Sequence, residues 1–105
     1  MTGIQIIATE RLRQIEEEKY DDIHDNKRTK NQLADAAACY CLAETIRKYQ
    51  NKRKMAIVTN YWPFDFKYWK PDKTGKIEGR IKELAKAGAL IAAEIDRLLR
   101  LDNQQ

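Results

Sequence analysis

The residues Tyr61-Trp62-Pro63-Phe64-Asp65-Phe66-Lys67-Tyr68-Trp69-Lys70-Pro71 hold six of the chain's nine aromatic side chains. Flat aromatic faces stack nucleobases at ~1–3 kcal/mol per base, and neighbouring Lys or Arg side chains hold phosphate. Trp62, Tyr68 and Trp69 are therefore candidate stacking residues, and Lys70 a candidate phosphate ligand. Arg11, Arg13 and Arg80, from two other parts of the chain, supply guanidinium groups that would complete an anion pocket. Gln14, Glu18 and Asp65 carry the polar ends that read base or ribose edges, and His24 is placed at the rim of such a pocket.

Groups able to do covalent chemistry are few. The chain has no Ser and one His. Cys39 and Cys41 stand two apart on an expected helix and point to different faces, which suits neither a disulfide nor a shared metal. His24 beside Asp25 forms a pair able to orient an imidazole for proton transfer. The acidic residues offer a competing reading. Glu17, Glu18, Asp22 and Glu94 could hold magnesium against a triphosphate, as in all-α nucleotide pyrophosphohydrolases. Those enzymes space their paired carboxylates three apart, whereas Glu94 and Asp96 are two apart and Glu16-Glu17-Glu18 are contiguous. The expected protein is thus a binder with no cofactor and no metal site.

Charge supports an anionic ligand. Residues 1–25 carry a net −4, residues 26–86 a net +9 and residues 87–105 a net −1, which reproduces the overall +4. A positive middle between acidic ends attracts an anion of modest size. A nucleic acid would call for a continuous basic stripe, so it is the less favoured partner. No segment approaches the ~20 uninterrupted apolar residues of a membrane-spanning helix, and the N-terminus lacks a basic-then-apolar leader pattern. A cytoplasmic location with no membrane partner is expected.

The elements that must position these groups read as helices within a single domain, residues 1–105. Thr2 and Gln5 form a capping-box pattern opening a helix over about 3–20. Thr29 with Gln32, or Asn31, opens a second over 31–50, whose Leu33-Ala34-Asp35-Ala36-Ala37-Ala38-Cys39 run invites close helix approach and a central place in the core. Residues 21–28 lack apolar periodicity and read as a connector. The third helix, 76–101, repeats Ile77, Ile81, Leu84, Gly88, Ile91, Ile95 and Leu98 at alternating steps of four and three. Such a repeat defines one apolar seam held for three heptads. These elements predict an all-α fold, a small antiparallel three-helix bundle with a long aromatic-rich connection over 51–75. Pairing across the Gly88 seam would enlarge a modest core, so a homo-oligomer is expected.

A resemblance adds to this reading. Glu10-Arg11 with Arg13-Gln14-Ile15 and Glu18, His24-Asp25, Leu33-Ala34 with Ala37 and Tyr40, Trp62-Pro63-Phe64-Asp65 with Trp69-Lys70-Pro71, and Lys86-Ala87-Gly88-Ala89-Leu90-Ile91 with Glu94-Ile95 resemble blocks of small uncharacterised phage and prophage proteins. Lys19 stands where such proteins often carry Gly, and Arg28-Thr29 where a second His commonly follows. The resemblance implies a viral protein acting in a bacterial host. Phages encode small helical proteins that counter host defence, including oligomeric sponges for cyclic nucleotide signals. The expected function is sequestration of a phosphorylated, nucleotide-like small molecule.

Overall fold

A computed structural model of the chain describes residues 1–49 and 52–104, apart from the side chains of Lys52 and Lys54. Among the described residues the protein is all-helical, with five α-helices, one 3-10 turn and no strand. The order is α1 (Gly3–Glu16), α2 (Asp22–Asn26), α3 (Gln32–Tyr49), α4 (Lys52–Tyr61), the 3-10 turn (Phe66–Tyr68) and α5 (Ile77–Asn103). The expected boundary between Gln50 and Asn51 lies outside the described residues.

Helix α1 starts as its capping box dictates. Thr2 Oγ1 accepts from the Gln5 N–H at 3.3 Å, and Gln5 Oε1 accepts from the Thr2 N–H at 2.8 Å. The helix ends at Glu16, not near Tyr20, because Lys19 adopts a left-handed φ of 61° that no helix accommodates. Gly is the residue that takes this conformation without steric cost. The expected connector at 21–28 contains α2, a short helix opened by Asp21, whose carboxylate accepts from the His24 N–H at 3.0 Å. A single Asp cap starts a turn that apolar periodicity cannot reveal.

The expected 51–75 connection is also more ordered than its prolines suggest. Helix α4 occupies its first part and stops at Tyr61, before Pro63. Val58 is buried toward α3, where the Cys39 thiol points at the Val58 carbonyl at 4.0 Å. Asp65 caps the 3-10 turn by accepting from the Lys67 N–H at 2.9 Å. The Asp72 carboxylate then accepts from the N–H groups of Thr74 and Gly75, folding the chain back into α5. Gly79 leaves room for that carboxylate, since a Cβ there would overlap it.

Packing differs from a symmetric three-helix core. Helix α5 is the central element, touching α1, α2 and α3, while α4 lies on α3. Helices α3 and α5 make the most extensive contact, and Arg47 near the end of α3 reaches Glu83 near the start of α5, an antiparallel course. The buried interior is mostly small: Ala36, Ala37, Ala43, Ala85, Ala87, Ala89 and Ala93 are all buried, with Leu33, Leu90, Cys39 and Tyr40. The heptad seam of α5 lies elsewhere. Ile77, Ile81, Leu84, Ile91, Ile95 and Leu98 are exposed, and only Gly88 is covered, by the side chain of Ile7 from α1. The periodicity correctly marks an apolar stripe, but the chain buries the alanine-rich face of α5 in its own core.

Two buried carboxylates pin these helices. Glu83, 1% exposed, accepts from both Nη atoms of Arg47 at 3.0 Å, from Arg80 at 3.2 Å and from the Asp72 N–H at 2.7 Å. Asp25, fully buried, accepts from Arg11 at 2.9 Å and lies 2.8 Å from the His24 ring nitrogen Nδ1. Each buried charge is therefore paired, as desolvation requires.

Burial pushes the Glu83 carboxyl up, but hydrogen bonds from Arg47, the Asp72 N–H and Arg80 outweigh it and leave the group below the usual glutamate range. A depressed folded-state pKa gives stability that is fully present above the unfolded value of about 4.3 and is lost as pH falls through the folded value. Urea midpoints measured from pH 7 to pH 2 should therefore drop below about pH 4.3, with less drop in Glu83→Gln. At pH 7 that substitution should cost about 3–5 kcal/mol, because it leaves guanidinium charge unmatched. By contrast, Lys19→Gly should stabilise the protein by about 1 kcal/mol in the same assay, by relieving the left-handed backbone.

Candidate functional site

Tyr40 is the floor from which the candidate site is built. It leaves the middle of α3 toward the aromatic segment, and its ring meets Trp62 edge-on at 5.6 Å and Trp69 at 4.8 Å. Phe64 continues the cluster, 5.7 Å from Trp62 and nearly perpendicular to it. The Tyr40 hydroxyl accepts from the Lys70 N–H at 3.3 Å, which ties the far end of the aromatic segment to α3. Burial raises the Tyr40 phenol to about 12, so it remains protonated at neutral pH.

These rings enclose one side of a hollow of about 110 Å³. Tyr40, Trp62, Phe64 and Leu90 form its inner wall, and Tyr20 and Tyr68 its outer one. Arg13, Gln14 and Glu18 enter from α1 and the segment after it. Lys70 and Lys86 complete the lining. A volume of this order holds a single small ring, since a 150 Å³ apolar cavity takes benzene. Any larger ligand would extend outside.

Gln14 is the unusual member. It is 3% exposed, and its Oε1 accepts no hydrogen bond from any described residue. Its Nε2 donates to Glu10 Oε2 at 3.3 Å. Reversing the amide would set two acceptors against each other, so the carboxylate of Glu10 holds the carbonyl in this orientation. A buried acceptor without a donor is costly.

The cations of the site are not the expected ones. Arg13 is enclosed by carboxylates: Glu10 at 2.7 and 2.8 Å, Glu18 at 3.0 Å and Glu17 at 3.4 Å. The Glu10 hydrogen bonds raise its pKa further and offset its charge locally. Lys86 instead carries charge into the hollow. Its ammonium donates to the Lys70 carbonyl at 3.2 Å and lies 5.4 Å from the centre of the Tyr40 ring. Burial lowers its pKa, because carbonyl and ring solvate an ammonium less well than water. The exposed Lys70 provides a second cation at the mouth.

The structure thus brings together six of the expected residues: Arg13, Gln14, Glu18, Trp62, Tyr68 and Lys70. The other five lie elsewhere. Arg11 is held by Asp25 and by the Tyr20 carbonyl at 3.0 Å. His24 sits behind the wall, stacked on Tyr20 at 4.4 Å, not at the rim. Asp65 caps the 3-10 turn, and its carbonyl accepts from the Trp62 indole N–H at 3.2 Å. Trp69 wedges between Tyr40 and Trp62 and faces a neighbouring groove. Arg80 lies with Glu83 and Glu44 and donates to the carbonyls of Tyr40 and Cys41. Trp62 is itself 8% exposed, so it walls the hollow and offers no open stacking face.

Tyr20, Tyr40, Phe64, Lys86 and Leu90 also line the hollow, and residue type and spacing do not mark them as site residues. Lys86 had one sequence signal: a cation inside the alanine-rich face of α5, between Glu83 and Leu90. The Arg28 guanidinium lies 5.4 Å from the Phe64 ring centre, bracing the hollow from outside. The carboxylates of the magnesium reading are dispersed. Glu17 and Glu18 pair with Arg13, Asp22 with Arg100 and Glu94 with Arg97. Among the described residues no three His, Cys, Asp or Glu side chains gather as metal ligands.

The cysteines are separate in behaviour as well as direction. Cys39 is buried, and burial with the nearby Asp35 raises its thiol to about 11, whereas Cys41 is exposed. One thiol should react rapidly with a disulfide reagent at neutral pH, and both after unfolding. Comparison of the chain with protein-family models, curated proteins and solved structures finds no match.

Proposed function

We propose that this protein captures a nucleotide by taking one base into the aromatic hollow and leaving the phosphate at its mouth. The observation that carries the reading is the buried Gln14 carbonyl, which lacks a donor and belongs to a side chain lining a hollow walled by aromatic rings. An exocyclic amine of a base supplies such a donor, and the flat base complements the tyrosine walls. Of the three candidate stacking residues, Tyr68, half exposed, is the one with a face open to a ligand. Lys70 keeps its phosphate-facing role, and Lys86 joins it in place of Arg11, Arg13 and Arg80.

The reading is one of binding without turnover. Among the described residues the hollow holds no Ser, Cys or His, and burial holds the Tyr20 and Tyr40 phenols protonated. The resemblance to phage proteins adds a setting in which such capture is useful: removal of a phosphorylated, possibly cyclic, signal from the host cytoplasm. The hollow is sized for a single ring, so a purine would lie partly outside it and a cyclic dinucleotide would leave its second base outside or in a second site.

Calorimetric titration against linear and cyclic nucleotides bearing each base tests the proposal. Binding should favour bases with an exocyclic amine over uracil, and Tyr68→Ala should weaken it by ~1–3 kcal/mol, about 5- to 150-fold. Gln14→Leu should reduce the preference among bases while leaving the fold intact by circular dichroism. No heat with any nucleotide at low salt would remove the idea, and release of phosphate or pyrophosphate with magnesium would return the hydrolase reading.

A further inference from the structure

We propose that the outward stripe of α5 is the contact surface for a second copy of this chain, docked with its α5 running in the opposite direction. The inference is independent of the ligand reading, since the stripe faces away from the alanine core.

The first observation is what the chain places where. Its interior is filled largely by alanine, whereas Ile77, Ile81, Leu84, Ile91, Ile95, Leu98 and Leu99 of α5 are 43–76% exposed. No charged residue interrupts this stripe between Ile77 and Leu99. About half of each side chain over seven residues amounts to roughly 600 Å², the upper end for the largest apolar patch of a monomer. Leu12 of α1, also exposed, lines a groove with Ile81 and extends the surface toward the ~800 Å² that each partner gives a stable interface.

The second observation identifies the occupant. The large apolar residues are arranged almost symmetrically about Gly88: Leu84 and Ile91 lie four before and three after, Ile81 and Ile95 seven either side, and Ile77 and Leu98 eleven before and ten after. A stripe that reads the same from both ends is self-complementary under a two-fold axis, which is the condition for an isologous dimer. Gly88 would leave a notch at that centre, and Ile7 of α1 fills it.

Charge selects the direction. Asp102 follows the stripe at its C-terminal end, where Arg100 is already paired with Asp22, and Lys73 and Lys76 outnumber Glu78 at the other. An end-for-end pairing sets the carboxylate of one copy near the ammonium groups of the other. A parallel pairing would set two Asp102 carboxylates together at the end of an apolar seam, which is unfavourable.

Light scattering of the full chain at tens of micromolar should give twice the 12.3 kDa monomer mass. Ile91→Glu combined with Ile95→Glu should yield a monomer with an unchanged helical spectrum, because both side chains are exposed in the monomer. Direction is read by disulfide trapping in a Cys41→Ala background, which also serves if the glutamate variant does not fold. A mixture of I77C and L98C should cross-link several-fold faster than either variant alone. A wild-type monomer, an assembly that survives a folded glutamate variant, or faster trapping of I77C with itself would overturn the proposal.

Discussion

The buried carboxylate of Glu83 joins three parts of the chain. It receives Arg47 from α3, Arg80 from its own helix and the Asp72 N–H from the segment before α5. That last bond has the longest reach. It anchors the chain just after Pro71, and the Tyr40 hydroxyl anchors it again at Lys70. Between these two points Trp69 is drawn against Tyr40 and Trp62, and the wall of the hollow follows. The site is therefore built on an ion-pair hub that it does not itself contain.

Asp25 acts similarly at the other side. Its bond to Arg11 holds α2 against α1, and Arg11 also grips the Tyr20 carbonyl. Tyr20 is then fixed as an outer wall, backed by the His24 ring. In both hubs the cation includes arginine, whose planar, multiple donors satisfy a buried carboxylate better than a single ammonium. The lysines are left for the hollow. Lys86, solvated by a carbonyl and a ring but by no carboxylate among the described residues, keeps a charge that an incoming anion can meet. The division explains why the guanidinium groups that looked most suited to a ligand serve the scaffold instead.

Small residues set the remaining geometry. Alanine on facing sides of α3 and α5 brings the helices close enough for Arg47 and Arg80 to reach Glu83 and neighbouring backbone carbonyls. The same choice moves the bulk of the large aliphatic side chains to the outer face of α5. A packed alanine interior gains less from hydrophobic burial than one of leucine and isoleucine, and the two hubs and the aromatic cluster supplement it.

Much was legible along the chain because it depends on neighbours in sequence. The all-helical class, the cap at Thr2, the long third helix and the aromatic segment all follow from local pattern, as does the apolar character of the Ile77–Leu98 stripe. Arg13, Gln14, Glu18, Trp62, Tyr68 and Lys70 were also named from their types and brought together by the fold. Which face of α5 turns inward was not legible, since alanine and isoleucine stripes both repeat at helical spacing and only the shape of α3 chooses between them. Nor was the fate of Arg11 and Arg80, because a guanidinium binds whichever carboxylate the packing buries beside it. Helical periodicity is a property of a few consecutive residues; the pairing of charges and the choice of faces are properties of segments forty residues apart, and only their packing decides them.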